Sequence, residues 1–345
     1  MKRYMRPFPV ALVLVLLLAG SFASCEYKDL CYQHPHWVDI RVQFDWKNAP
    51  DANPEGMTVL FYNVDDPTVA PVRFDLPGRE GGNVSLLPGR YRALAYNYDT
   101  ESILYRNTEV VSTFEAFTRP SSINEGTHMT YGDLPRDEGK DEESVILDPD
   151  MLWGATSTVF EIEMQDPVTY DYVKEGETAT THNSYTVTLV PGPRVCNVTV
   201  TVHDVVNMKY STNYAGVLST LSPSVMMESA VSTAGSVTQA YTFTKIDAET
   251  LQAKFHIFGH CEHSGSVDPG THILTVYSLL DDESKWYYTF DVTNQMHDAE
   301  KNPDKYNVNI DVYGLPVPKP ITNGSGLKPT VDNWDNIEIE LPEHQ

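Results

Sequence analysis

Asp39-Ile40-Arg41-Val42-Gln43-Phe44-Asp45-Trp46 places Ile40, Val42, Phe44 and Trp46 on one side of an extended chain and Asp39, Arg41, Gln43 and Asp45 on the other. A period of two marks a strand with one buried and one wet face, the pattern of antiparallel sheets. The same pattern recurs outward from this stretch. Val198, Val200 and Val202 alternate with polar residues between Asn197 and His203. Trp286, Tyr288, Phe290 and Val292 alternate with Tyr287, Thr289 and Asp291, and Tyr306, Val308, Ile310 and Val312 with Asn307, Asn309 and Asp311. Ile337, Ile339 and Leu341 close the chain in the same way. No long amphipathic helix interrupts them after residue 24. The fold class expected is all-β, with antiparallel sandwiches.

Turns at Leu87-Pro88-Gly89-Arg90 and Asp268-Pro269-Gly270 punctuate the strands. Each leads into a core strand, ending Leu94-Ala95-Tyr96 in one case and Thr275-Val276-Tyr277 in the other. This echo suggests two related sandwiches in tandem. The first is expected over 37–183, finishing with a strand from Phe160 to Met164. Glu175-Gly176-Glu177 and the Thr-rich run after it read as a linker. The second is expected over 184–345, opening near Ser184 with Tyr185, Val187 and Leu189. Two stretches read as exposed loops. Asp133 to Asp150 holds eight carboxylates against Arg136 and Lys140, and nine of the twenty residues from Ser219 to Thr238 are Ser or Thr.

The 345 residues are 41% hydrophobic, enough for at least one full core, and the length favours two domains. Lys and Arg number 24 against 48 Asp and Glu, a formal charge of −24. That charge repels a polyanion, so nucleic acid is not an expected partner. The chain opens with Lys2, Arg3 and Arg6, then an unbroken apolar run from Val10 to Leu18, then small residues up to Ser24. This is the layout of an export signal over 1–24. The run is shorter than the roughly 20 residues that span a bilayer. Small residues before Cys25 resemble a bacterial lipobox, so Cys25 is the expected lipidation site, with Phe22 standing where Leu is usual. Residues 25–36 would be the anchor and tether, and Glu26-Tyr27-Lys28-Asp29 resembles a surface-export signal. Two or three acyl chains on Cys25 would hold the protein firmly on a membrane.

Cys31, Cys196 and Cys261 then remain, allowing at most one internal bridge. Cys196 shares its face with Val198 to Val202 and Cys261 with Phe255 and Ile257, as buried thiols or as a pair. His256, His260, Cys261 and His263 lie close together, as do Cys31, His34 and His36. Donors on one extended segment seldom converge on a metal. His256, His260 and His263 read as polar-face histidines on a strand leading to a loop, Cys31, His34 and His36 as part of the tether, and no metal or cofactor is expected. Asp65-Asp66 and Asp281-Asp282-Glu283 read as solvated hairpin tips without the ligand spacing of a Ca²⁺ loop. Tyr96, Tyr98, Tyr170 and Tyr172 read as surface aromatics able to stack on sugar rings. No nucleophile elbow, zinc-protease motif or phosphate loop occurs, so no catalytic residue is assigned.

Several stretches together carry a family resemblance. They are Cys25, His34-Pro35-His36, Val38 to Trp46, Met57-x-Val59-x-Phe61-Tyr62, Leu87-Pro88-Gly89-x-Tyr91 and Ala95-Tyr96-Asn97. In the second half they are Phe255 to Gly259, Phe290-Asp291-Val292-Thr293 and Trp334-Asp335 to Leu341. The chain resembles bacterial lipoproteins catalogued as a domain of unknown function and related to FimB-like anchor subunits of type V fimbriae. The resemblance implies two transthyretin-like sandwiches and an outer-membrane lipid anchor facing the exterior. It also implies a non-catalytic role, binding a fimbrial subunit or other surface protein by strand addition. The alternative expectation is a surface glycan-binding lipoprotein of a nutrient-uptake system.

Overall fold

The computed structural model describes residues 37–129, 134–136, 142–163, 185–259, 271–301, 305–320 and 334–339. The export signal, Cys25, the tether and the expected linker lie outside them. Trp37–Gln345 forms one unit, built from two β-sandwiches.

In the first sandwich, strand Val38–Phe44 is the centre of a three-stranded sheet, with Gly81–Leu86 antiparallel on one side and Tyr185–Leu189 parallel on the other. Its residues alternate buried and exposed along its whole length. The facing sheet has six strands. Gly192–Pro193, Trp153–Thr156, Gly89–Asn97, Gly56–Asn63 and Val72–Pro77 run in that order, and Phe160–Ile162 also pairs with Gly89–Asn97. Ile40, Val42 and Phe44 from one sheet meet Met57, Val59, Phe61, Ala93 and Ala95 from the other, closed by Leu189. Each large apolar side chain buried here contributes about 1.5–3 kcal/mol. The Gly81–Leu86 strand begins at φ +93°, and a Cβ on Gly81 would stand 2.2 Å from the Val42 carbonyl oxygen. Only glycine fits this position.

The second sandwich repeats the plan. Cys196–His203 takes the central place, with Leu251–Ile257 antiparallel and Asn307–Tyr313 parallel. Ser211–Leu221 lies between Val237–Thr242 and Ile273–Leu280, as Gly56–Asn63 lies between Val72–Pro77 and Gly89–Asn97. The two strands that carry the sequence echo, Gly89–Asn97 and Ile273–Leu280, therefore hold equivalent places. Val198, Val200, Val202, Phe255, Ile257 and Ile310 pack against Tyr214, Leu218, Val276, Tyr288 and Phe290. The described helices are short, Ile123–Thr127 and Thr293–Glu300. Ser122 caps the first, its Oγ accepting from Glu125 N at 3.2 Å.

Four expectations about the fold need correction. Three of the five described sheets are mixed, because Tyr185–Leu189, Asn307–Tyr313, Ser144–Ile146 and Asp335–Glu338 pair in parallel; the other two are antiparallel as expected. Alternation reports which face is wet and carries no information on a neighbour's direction.

The sheets do not divide at 183/184. Tyr185–Leu189 completes the first sandwich, while Pro120–Ser121 and Ser144–Ile146 extend the second sandwich's seven-stranded sheet. Ile103–Arg106, Glu115–Thr118 and Ser224–Met226 form a further small sheet spanning both halves.

Ser219 to Thr238 is not an exposed loop. It contains the end of Ser211–Leu221, all of Ser224–Met226 and the start of Val237–Thr242. Its hydroxyls are bonded in place, Ser222 Oγ donating to Ser224 O at 2.9 Å and to Thr233 O at 2.8 Å. Bonded hydroxyls are buried at little cost.

The described part of the acidic run is packed. Glu143 accepts from Thr220 N at 3.0 Å and from Ser236 Oγ and Thr238 Oγ1 at 2.8 Å each. Ser144–Ile146 is a strand, and Ile146 is buried.

Candidate functional site

The two sandwiches share one strand plan, so corresponding sheet edges can be compared. In the second sandwich Asn197 N donates to Tyr306 O at 2.7 Å, and Gly314 N to His203 O at 2.9 Å. This parallel ladder uses alternate residues of Asn307–Tyr313 and turns the Asp311 backbone outward. The Gln295 side chain occupies that position. Its Oε1 accepts from Asp311 N at 2.8 Å and its Nε2 donates to Asp311 O at 3.0 Å. One primary amide thus satisfies both groups as a neighbouring strand would.

In the first sandwich Asp45 N donates to Leu189 O at 2.8 Å. The same alternation turns the backbone of Thr186 and Thr188 away from Val38–Phe44. No described residue pairs with that outer edge, and both side chains are exposed. The sheet is also short, three strands facing six. Unpaired edge backbone is a template for strand addition.

The described residues among those singled out in the sequence are dispersed. Cys25, Cys31, His34 and His36 lie outside the described residues, as do His260, Cys261, His263, Tyr170 and Tyr172. His256 is a fastener for the acidic segment. Its backbone N donates to Asp148 Oδ1 at 2.8 Å, and its Nδ1 lies 3.0 Å from Pro149 O. Cys196 is half-buried, its Sγ 3.8 Å from Lys305 O. Among the described residues no group of three His, Cys, Asp or Glu is placed to hold a metal.

Asp65 and Asp66 do sit at an exposed turn, where Asn63 Oδ1 accepts from both backbone N–H groups at 2.9 and 3.0 Å. Hydrogen bonds from Thr68 hold the Asp66 carboxyl below its usual range. Asp281-Asp282-Glu283 forms the tip between Ile273–Leu280 and Lys285–Asp291, and Asp282 Oδ1 accepts from Ser284 N at 3.0 Å. Tyr96 is a correction. It is buried, not on the surface, with its ring 4.7 Å from Tyr105 and 5.6 Å from Phe114. Tyr98 is 40% exposed and lies over Gly56, where a Cβ would stand 2.2 Å from the Tyr98 hydroxyl.

A groove of about 910 Å³ runs where the sandwiches meet. Arg194 stands in its wall beside Trp153, Tyr306, Asn48 and Asn197. Arg194 Nε donates to Met227 O at 3.0 Å, and Nη1 to Gly192 O at 3.2 Å and Pro193 O at 3.3 Å. Sequence reading did not pick out this groove, because its residues come from stretches that are distant along the chain.

The fold of two packed β-sandwiches is shared with solved structures. A crystal structure described as a putative adhesin from Bacteroides ovatus matches it with a TM-score of 0.57 at 21% identity, covering 87% of this chain and 98% of that one. The chain belongs to the family described as Domain of unknown function (DUF5119), whose model matches residues 24–242. A "Putative fimbrium anchoring subunit Fim4B", also from Bacteroides ovatus, is 38% identical over 114 residues. That match spans 32% of this chain and 31% of the relative's length. The fimbrial anchor protein Mfa2 from Porphyromonas gingivalis is similar at 14% identity with a TM-score of 0.45, over 81% of this chain and 91% of that one.

Proposed function

We propose that this chain is a non-catalytic cell-surface subunit, held on the outer membrane by lipid on Cys25, that receives an extended segment of a fimbrial protein. The observation that carries the proposal is the contrast between two equivalent edges. Asp311 is satisfied by Gln295, while no described residue pairs with the outward backbone of Thr186 and Thr188. The relative named as a fimbrium anchoring subunit supports the choice of partner. Backbone pairing gives affinity without a concentrated set of side chains, which accords with the dispersal of the described candidate residues.

Proline tests the edge. The Thr188 N–H takes no part in the ladder to Val38–Phe44, so Thr188→Pro removes an outward donor and sets a ring in the path of an incoming strand. Affinity capture from the cell surface should recover a β-rich fimbrial subunit with the wild-type chain and lose it with Thr188→Pro, while thermal unfolding stays the same. Cys25→Ala should release the chain from the membrane fraction and leave capture intact. Equal capture by the Thr188→Pro variant would rule out this edge.

A further inference from the structure

Arg194 is the one groove residue whose situation is not explained by packing. Its three hydrogen bonds go to backbone carbonyls, and among the described residues no carboxylate stands within ion-pair distance. Burial lowers the guanidinium to about 10. An enclosed cation without a counter-charge costs stability, and it does so here in a chain whose formal charge is −24. Its Nη2 has no acceptor among the described residues, and Arg194 lines the groove. Gly154 makes the arrangement possible, since a Cβ there would stand 3.0 Å from Arg194 Nε.

The wall holds one carboxylate, the exposed Asp51, and its aromatic and amide residues match one kind of ligand. Trp153 and Tyr306 are half-buried aromatics, and the Trp153 indole N–H has no described acceptor. Asn48 and Asn197 add amides, and Asn197 Nδ2 donates to Asn307 Oδ1 at 2.8 Å. We propose that this groove binds a carboxylated sugar ring, its carboxylate on Arg194 and its hydroxyls on the asparagine amides. The aromatic rings of Trp153 and Tyr306 would cover its apolar face. Arginine suits a planar carboxylate because its N–H groups present a matching fork. Aromatic surface with a few placed polar groups is what a small-molecule site needs. This site is separate from the edge at Thr186 and Thr188, so either reading can fail alone.

Two sugar acids share this chemistry, hexuronates and sialates. Isothermal titration of the full-length chain in detergent with trigalacturonate and with a sialylated trisaccharide distinguishes them. Saturable binding of at least one is expected, with no binding of the carboxyl-reduced analogue. Arg194→Gln and Gly154→Ala should each weaken binding at least tenfold, and Arg194→Lys less than Arg194→Gln. Asn48→Ala, at an exposed position that leaves the core untouched, should weaken it severalfold even if the Arg194 variants misfold. Equal binding of the reduced analogue would overturn the proposal. So would absence of binding to both acids, or tighter binding of an acidic peptide of the same charge.

Discussion

Glu115 Oε2 accepts from Arg106 Nε at 2.7 Å, and its other oxygen accepts from Arg106 Nη2 and from Ser224 Oγ. Ser224 belongs to the second half of the chain, so one carboxylate ties the small shared sheet together across 109 positions. The bond from Arg106 is the largest influence holding the Glu115 carboxyl below its ordinary value of 4.5. A depressed folded-state value means that the stabilisation is complete above about 4.5 and is lost as pH falls through the lower folded value. Glu115→Gln should therefore cost about 1.5–3 kcal/mol at neutral pH, as charged hydrogen bonds are lost. The variant should converge on wild type in acid. Urea unfolding at several pH values checks both.

At the scale of elements, Gln295 and the edge it covers give a second prediction. Gln295→Ala should uncover the Asp311 backbone and make the second sandwich as open as the first. Concentration-dependent association is expected by light scattering in the variant at concentrations where wild type stays monodisperse, with thermal stability lowered by about 1 kcal/mol or less. Strands that were legible in the sequence are those with one wet face, such as Val38–Phe44 and Asn307–Tyr313, where burial alternates without exception. Gly56–Asn63 is buried along seven consecutive residues, because Leu60 and Tyr62 face the shared junction while Val59 and Phe61 face the core. Such a strand has no period to read. Ser211–Leu221 and Ser224–Met226 were hidden for another reason. Serine and threonine signal loops in a sequence, yet their hydroxyls bond locally and are buried without large cost. The edge residues Thr186 and Thr188 carry no chemical signature, since what matters there is backbone.

The whole molecule is interleaved. Tyr185–Leu189 follows a long excursion and returns to the first sandwich, while Glu115 to Ile146 contributes strands and the Ile123–Thr127 helix to the second half. The outer face of the seven-stranded sheet is covered from that excursion by Met129 and Leu134, which pack on Ala215, Val217 and Tyr277. Neither half can then bury its core alone. Chains covering 37–183 or 184–345 should fail to fold separately, and calorimetry of the intact chain should show one cooperative transition. Two resolved transitions, or a native-like spectrum from either piece, would show the halves to be independent. Two sandwiches were legible from alternation and from the Pro-Gly echo. The exchange of segments was not, because it is set by which edges are left to pair.

Val38–Phe44 enters the fold at the same end as its parallel neighbour Tyr185–Leu189, and Gly81–Leu86 flanks it on the other side. A pull on the chain ahead of Val38 is directed along this strand. Both ladders then resist in shear, with their hydrogen bonds strained together, and the strand cannot be peeled off one bond at a time. A subunit tethered through Cys25 and carrying a filament at the Tyr185–Leu189 edge would pass tension sideways between adjacent strands. Its grip under flow would then depend on the number of residues paired in that sheet.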